Sequence, residues 1–163
     1  MVVLGRGGAG KSTAAVELGC LTGLPVVELD KHFWGPDLAP LTVQQWTRRQ
    51  QRLAEAPRWN MEGDRGPYDA PAARLARADT ILILDFGLMR CVWWEVRRSR
   101  EKADFWRWLL TWRRRARPTV LHAVAALAPR ATVHVVRTPR ARWTFLLTAR
   151  TTEPPPTDAG AVP

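Results

Sequence analysis

The amino-acid sequence predicts an α/β protein with a doubly wound, five-stranded parallel sheet between two layers of helices. Three observations support this fold class. Residues 5–12 read G-R-G-G-A-G-K-S, which fits the phosphate-binding pattern G-x-x-x-x-G-K-[ST], between an apolar strand and a helix. Residues 80–84 form a continuous apolar run, as in strands buried on both faces. Short strand patterns then alternate with helical patterns along the rest of the chain.

The predicted strands are short and mostly apolar, as strands buried in a parallel sheet are. The first begins the chain and leads into the phosphate-binding loop, and the second ends at Asp30. The third is the weakest and runs into a turn-rich stretch over residues 63–67, whereas the fourth is the clearest. The strands are predicted at residues 1–4, 24–29, 58–62, 80–84 and 132–136.

The predicted helices are marked by their start signals and their apolar periodicity. Thr42 and Gln45 form a capping box after a loop at residues 31–41, and Pro71 and Pro118 each lie where the start of a helix tolerates proline. The helices are predicted at residues 11–21, 42–55, a short segment from 69, three pieces within 87–127, and 139–150.

The chain of 163 residues is long enough for one domain, which we expect to cover residues 1–150. The Pro-rich residues 151–163 have no apolar periodicity, and we expect them to be disordered. No apolar run reaches the length of a membrane span, and the two cysteines, Cys20 and Cys91, have no metal-binding spacing. We therefore expect a cytoplasmic protein. The first strand starts at residue 1, which suggests a trimmed or mis-assigned N-terminus.

The net charge of +10 is concentrated in one segment, because ten of the 25 lysines and arginines lie within residues 90–117. Such a segment predicts a polyanionic partner, which could be nucleotide phosphates, a phosphorylated substrate or nucleic acid. Tryptophans interleave with these arginines. This pattern fits either base stacking or a core covered by arginine stems.

The phosphate-binding loop, or P-loop, predicts a nucleoside triphosphate site. Glycines let the backbone N–H groups converge on phosphate oxygens, Lys11 can reach the β- and γ-phosphates, and the Ser12 hydroxyl can bind Mg²⁺. The residues expected to bind the nucleotide here are Gly5, Arg6, Gly7, Gly8, Ala9, Gly10, Lys11, Ser12 and Thr13.

Several segments together resemble one family. They are the P-loop, T-G-L-P-V-V-E-L-D-K-H-F-W at 22–34, Trp46, W-N-M-E-G-D at 59–64, R-L-A-R-A-D-T-I-L-I-L-D at 74–85 and R-R-R-A-R-P at 113–118. In these segments the sequence resembles adenylate-kinase-like P-loop proteins of the type often labelled DNA topology modulation proteins, within the nucleotide-kinase group. The resemblance implies a nucleoside monophosphate kinase-like fold with sheet order 2-3-1-4-5, ATP with Mg²⁺ at the P-loop, and a mobile lid that carries arginines.

The resemblance also implies a metal-side acid and a lid, and both depart from the family pattern here. Related kinases carry an Asp-Gly pair at the end of the third strand, and this chain has Glu62-Gly63, one methylene longer. Asp85 is the alternative acid, because it ends an apolar strand in the pattern typical of a Mg²⁺-holding aspartate. The lid, near residues 97–117, is shortened to a turn.

The remaining expectations concern the reacting groups. Arginines on either side of the shortened lid can neutralise charge on the transferred phosphoryl group. We expect Arg97, Arg98, Arg113 and Arg114 in this role. Asp30, at the carboxyl end of the second strand, is the candidate that orients or deprotonates an acceptor hydroxyl, or else caps a turn. His32 and Arg65 are candidate acceptor-binding residues, and Thr138-Pro139 the candidate adenine contact.

These features favour an ATP-dependent kinase that acts on a small acceptor, a nucleotide or a hydroxylated metabolite. Two other interpretations stay open. One is a nucleic-acid-binding protein regulated by nucleotide, and the other is a pseudokinase that binds nucleotide without turnover.

Overall fold

The computed structural model describes residues 1–35, 37, 39–63, 69–98 and 103–152. Its five strands are all parallel and form one sheet in the order β2-β3-β1-β4-β5, so the predicted fold class is confirmed. The strands are β1 Val2–Gly5, β2 Val26–Glu28, β3 Asn60–Glu62, β4 Thr80–Leu84 and β5 Thr132–Val136.

Helices connect successive strands, and most of them cover the two faces of the sheet. The helices are α1 Lys11–Thr22, α2 Leu29–His32, α3 Val43–Ala54, α4 Ala72–Ala76, α5 Leu88–Arg98, α6 Ala103–Thr111, α7 Ala116–Leu127 and α8 Pro139–Thr152. The capping box forms as predicted, because Thr42 N donates to Gln45 Oε1 at 3.0 Å and Gln45 N donates to Thr42 Oγ1 at 3.3 Å. No helix among the described residues is long and apolar enough to cross a membrane.

Alternate side chains of the strands enter two separate cores. One face buries Val2, Leu4, Ile81 and Ile83 with Trp46 of α3, and the other buries Val3, Leu82 and Leu84 against α1 and α8. Because side chains alternate along a strand, each apolar run supplies both cores. Because all five strands are parallel, their carboxyl ends lie at the same edge of the sheet.

The second strand is shorter than predicted, and the segment after it differs from the prediction. The sequence predicted strand through Leu29 and loop from residue 31, whereas the structure has a helical turn at Leu29–His32. Strand β2 pairs only with the three residues of β3, so its ladder ends at Glu28 and the chain turns there. Asp30 therefore lies on a helical turn just beyond the strand.

Two helix boundaries also differ from the prediction. Helix α7 begins at Ala116, so Pro118 lies inside its first turn, where a missing N–H costs no helical bond. Helix α8 continues to Thr152, two residues into the predicted tail, and the rest of that tail lies outside the described residues. Cys20 is exposed and Cys91 is buried, both as free thiols on helices.

Candidate active site

The P-loop joins the end of β1 to the start of α1 at the carboxyl edge of the sheet. Gly8 and Gly10 have left-handed φ angles of 67° and 79°, which residues with a side chain rarely adopt. Gly10 is the N-cap of α1. Alternation of these conformations turns successive N–H groups toward one concave surface. The first turn of α1 adds the positive end of the helix dipole to that surface.

Lys11 lies over the loop that it is expected to serve. Its Nζ atom donates to the carbonyl oxygens of Gly5 at 3.0 Å and of Arg6 at 3.3 Å. Both acceptors are main-chain groups of the loop, so the ammonium group is held beside the backbone N–H groups without a carboxylate partner among the described residues. It is therefore available to a phosphate that enters the loop.

Ser12 and Glu62 come together close enough to Lys11 for its charge to act on Glu62. Ser12 Oγ donates to Glu62 Oε1 at 3.0 Å, and Glu62 is only 3% exposed. Burial raises the pKa of Glu62 above its usual value, while the charge of Lys11 and the Ser12 hydrogen bond act in the opposite direction. A hydroxyl and a carboxylate oxygen at one point are ligands that suit Mg²⁺.

Ser12 and Glu62 would supply only two protein ligands to a metal ion. Among the described residues there is no cluster of three or more His, Cys, Asp or Glu that could form an all-protein metal cage. Mg²⁺ in phosphoryl-transfer sites typically uses one or two protein ligands together with substrate phosphates and water, so Ser12 and Glu62 fit this ion.

Asp85, the alternative metal-side acid, has different neighbours. Its side chain is 4% exposed, and its carboxylate accepts from Arg113 Nε at 3.0 Å and Arg117 Nε at 3.1 Å. Arg137 Nε lies 4.0 Å away. The structure thus places Glu62 beside Ser12 and surrounds Asp85 with arginines.

Helices α5 and α6, on either side of the predicted lid, pack directly on the P-loop. A Cβ atom added to Gly7 would lie 2.8 Å from the Phe105 ring, and one added to Gly8 would lie 2.4 Å from the Cys91 carbonyl oxygen. Residues 99–102, which join the two helices and include the predicted turn of the lid, lie outside the described residues.

The four predicted lid arginines are not gathered at Lys11 in this conformation. The Arg97 guanidinium packs over the Trp93 ring at 4.0 Å, and Arg113 is held by Asp85. Arg114 is exposed on the turn after α6, and only the backbone of Arg98 is described. Their catalytic role stays a prediction that requires the side chains to change position.

Asp30 lies near the Ser12–Glu62 pair, across the end of β3. A Cβ atom added to Gly63 would be 3.6 Å from Asp30 Oδ1, so this carboxylate sits against the glycine that follows Glu62. The negative charge of Asp30 also contributes to the raised pKa of Glu62. His32 is half-buried on the same turn, and Arg65 lies outside the described residues.

A cavity of about 370 Å³ extends from the P-loop on the side away from Asp30. It runs between α5 and the start of α8, and Pro139 forms part of its lining. Thr138 Oγ1 accepts a hydrogen bond from Ala141 N at 3.1 Å, which caps α8. The contact of Thr138 and Pro139 with adenine stays a prediction. The cavity is lined by Gly8, Ala9, Gly10, Thr13, Phe86, Arg90, Trp94, Glu95, Pro139 and Arg142.

Four lining residues of this cavity were not predicted from the sequence: Phe86, Arg90, Glu95 and Arg142. From the sequence, Trp94 was only one of several tryptophans that could stack on a base. Arg142 lies 3.0 Å from Glu17, an ion pair between α8 and α1 that no local spacing reveals. A larger cavity, of about 960 Å³, opens at the amino ends of the strands, away from the edge where open α/β sheets bind ligands.

No protein-family model matches the sequence, and no curated protein matches it. Solved structures with a similar fold include an unliganded sugar kinase from Janibacter sp. HTCC2649, with 21% identity over 92% of this chain and 91% of that one and a TM-score of 0.54. A shikimate kinase from Bacteroides thetaiotaomicron has 11% identity, 92% and 95% coverage and a TM-score of 0.55. A gluconokinase from Sinorhizobium meliloti 1021 has 16% identity, 92% coverage of both chains and a TM-score of 0.52. The chain therefore has the fold of P-loop small-molecule kinases.

Proposed function

We propose that the protein transfers the γ-phosphoryl group of ATP to a small acceptor, which is a nucleotide or a hydroxylated metabolite. The observation that carries this proposal is the meeting of Lys11, Ser12, Glu62 and Asp30 at one edge of the sheet. These residues supply a cation for phosphate, oxygen ligands for a divalent ion and a carboxylate for the acceptor. The fold, similar to those of sugar, shikimate and gluconate kinases, supports the same reaction class.

The P-loop would hold the phosphates of the nucleotide by its backbone N–H groups and by Lys11. For Lys11 this requires only that its ammonium group exchange the Gly5 and Arg6 carbonyls for phosphate oxygens. Ser12 and Glu62 would hold Mg²⁺, which supplies neutralisation of charge on the β- and γ-phosphates. The positive charge of Lys11 would stabilise the transition state, in which negative charge builds on the leaving oxygen.

Asp30 would act on the acceptor. In our proposal its carboxylate accepts the proton of an acceptor hydroxyl while that oxygen forms a bond to the γ-phosphorus and the bond to the β-phosphate oxygen breaks. The products are the phosphorylated acceptor and ADP. Asp30 is exposed at the edge of the sheet, as a group that meets an incoming acceptor must be.

The cavity between α5 and Pro139 would take the nucleobase. It adjoins Gly8, Ala9 and Gly10, so a triphosphate in the loop would direct the base into it, and Trp94 lines one wall.

The finer family assignment, to the topology modulation type, remains a proposal that rests on the sequence motifs. A cytoplasmic location also remains a proposal, and it rests on the short apolar runs and the spacing of the two cysteines.

The test is ADP release from ATP and Mg²⁺ with a panel of nucleoside monophosphates and hydroxylated metabolites. Acceptor-dependent ADP that is lost in Lys11→Ala and Asp30→Asn supports the proposal and places Asp30 on the acceptor side. Loss in Lys11→Ala alone would retain the kinase and remove Asp30 from its mechanism. If ATP binds but no acceptor raises ADP above the Lys11→Ala level, the protein is instead a pseudokinase or a nucleotide-regulated nucleic-acid-binding protein.

A further inference from the structure

A second cluster of charged side chains lies beside the P-loop, at the carboxyl ends of β4 and β5. We call Asp85, Arg113, Arg117 and Arg137 the Asp85 cluster. Asp85 follows β4, Arg137 follows β5, and Arg113 and Arg117 flank the start of α7. Among the described residues, these four line a cavity of about 380 Å³.

The cluster carries more positive charge and more donors than its one carboxylate can use. Arg113 directs Nε to Asp85 Oδ1 and Nη2 to the Asp85 main-chain oxygen, whereas Arg117 uses Nε alone. Arg137 comes no closer to the carboxylate than 4.0 Å. Among the described residues, the terminal nitrogens of Arg117 and Arg137 have no protein acceptor, and three guanidinium groups against one carboxylate leave a net charge of +2.

A buried arginine elsewhere in the chain shows what a purely structural arrangement looks like. Arg74 is fully buried, and its guanidinium bonds to both carboxylate oxygens of Asp69, to Gln50 and to the Gly63 carbonyl. Its terminal nitrogens are thus matched by protein oxygens. The terminal nitrogens of Arg117 and Arg137 in the Asp85 cluster are not matched in this way by the residues that the structure describes.

Arg6 of the P-loop adds positive charge behind the cluster. It is 1% exposed, its Nε and Nη1 atoms have no partner among the described residues, and its guanidinium lies 5.5 Å from the centre of the Trp112 ring. Arg6 follows Gly5, which is in register with Leu84, so it lies beside Asp85 and interacts with it electrostatically. A fourth guanidinium group thus lies near the single carboxylate of the cluster.

We propose that the Asp85 cluster binds the phosphate group of a small phosphorylated ligand, at a site separate from the P-loop. A phosphate monoester carries a charge of roughly −2 near neutral pH, which matches the excess of +2 on the cluster. The planar guanidinium fork binds two phosphate oxygens at once, and the unused terminal nitrogens of Arg117 and Arg137 supply such forks. Asp85 is the positioning residue that holds Arg113 and Arg117 at the cavity wall.

This site does not depend on turnover at the P-loop, so it can be tested apart from the proposed kinase activity. Because the P-loop itself binds phosphate, the measurements are made on Lys11→Ala protein. Isothermal titration at fixed ionic strength is carried out with inorganic phosphate, ribose 5-phosphate, uncharged ribose and a single-stranded oligonucleotide. The added variants are Arg117→Ala, Arg137→Ala and the matched control Arg130→Ala.

The control removes the same charge from the opposite end of β5, since Arg130 precedes that strand and Arg137 follows it. We expect Arg117→Ala and Arg137→Ala each to weaken phosphate binding by about tenfold or more, the effect of losing hydrogen bonds between charged groups. Arg130→Ala should leave it unchanged. Arg137 is 68% exposed, so its replacement keeps the test valid even if Arg117→Ala disturbs folding.

The two phosphate probes separate free phosphate from a phosphate ester. Tighter binding of ribose 5-phosphate indicates an organic phosphorylated ligand, equal binding indicates free phosphate, and both results support the site. The proposal is overturned if Lys11→Ala protein binds neither probe, if all three arginine variants behave alike, or if only a single-stranded oligonucleotide binds. Loss of acceptor-dependent ADP release with phosphate binding retained would count against the kinase proposal alone.

Discussion

Trp94 offers the sharpest test of where the nucleobase binds. Its indole ring is 48% exposed, and it forms one wall of the cavity that runs from the P-loop to Pro139. Trp93 lies beside it in a T-shaped arrangement, with ring centroids 5.1 Å apart. A base in this cavity would meet the Trp94 ring directly. The perturbation is therefore Trp94→Ala.

The expected magnitude follows from stacking. Removal of an aromatic side chain that stacks on a base costs about 1–3 kcal/mol, which corresponds to a loss of affinity of about 5- to 150-fold. Trp94→Ala should weaken ATP binding within this range and leave the binding of inorganic tripolyphosphate unchanged, because that ligand has no base. Trp94→Phe should recover part of the loss.

The matched control is Trp93→Ala. Trp93 is 49% exposed, nearly the same as its neighbour, but it packs under Arg97 and does not line the cavity. Affinities for ATP and tripolyphosphate are measured by titration calorimetry on both variants. The reasoning is refuted if Trp94→Ala and Trp93→Ala weaken ATP binding equally, or if Trp94→Ala weakens tripolyphosphate binding as much as ATP binding.

Two further predictions concern stability. The pKa of Glu62 is raised above 4.5 in the folded protein, so its ionised form costs stability above the folded pKa, and this cost fades as the pH falls toward 4.5. Glu62→Gln should therefore raise the thermal midpoint of metal-free protein at about pH 8 and lose that advantage by about pH 4, and an equal gain at both pH values would contradict this account. Gly8 and Gly23 share left-handed φ angles of 67° and 68°, but a Cβ on Gly8 would lie 2.4 Å from the Cys91 oxygen whereas one on Gly23 meets nothing within 4 Å. Gly8→Ala should lower the free energy of unfolding in urea by about 1 kcal/mol or more beyond the loss in Gly23→Ala, and equal losses would show that α5 does not press on the loop.

The fold could be predicted because its signals are local. The P-loop carries its own strand and helix, the capping box marks the start of α3, and the continuous apolar run marks β4. Each of these signals depends on residues within a few positions of one another. The sheet order is not local, and it came from the resemblance to a family and not from periodicity.

The errors arose where tertiary contacts decide the local structure. Strand β2 ends at Glu28 because its partner β3 is only three residues long, and nothing near Leu29 in the sequence contains that information. The wall of the base cavity is equally non-local, since Phe86 and Arg142 come from separate elements. The contact of Arg113 with Asp85 is non-local as well, because it joins residues 28 positions apart.

Glu62 and Asp85, the two candidate metal-side acids, have different neighbours in the structure. Both residues end buried strands that flank β1, so a sequence pattern alone gives each a reason to face the P-loop. The side chains that reach them differ. Ser12 comes to Glu62 from the first turn of α1, and arginines come to Asp85 from the segment around the start of α7. One carboxylate is thus left with oxygen neighbours that suit a cation, and the other with guanidinium groups that suit an anion.

The glycines of the P-loop have a second role in this chain. The phosphate-binding pattern allows any residue at positions 6–9, yet this chain has glycine at positions 7 and 8. The structure gives a reason, because Phe105 of α6 and Cys91 of α5 occupy the space that side chains there would need. Helices α5 and α6 both lie against the loop at these two glycines. Helices α5 and α6 therefore restrict the residue types that the loop can carry, in addition to the requirement of phosphate binding.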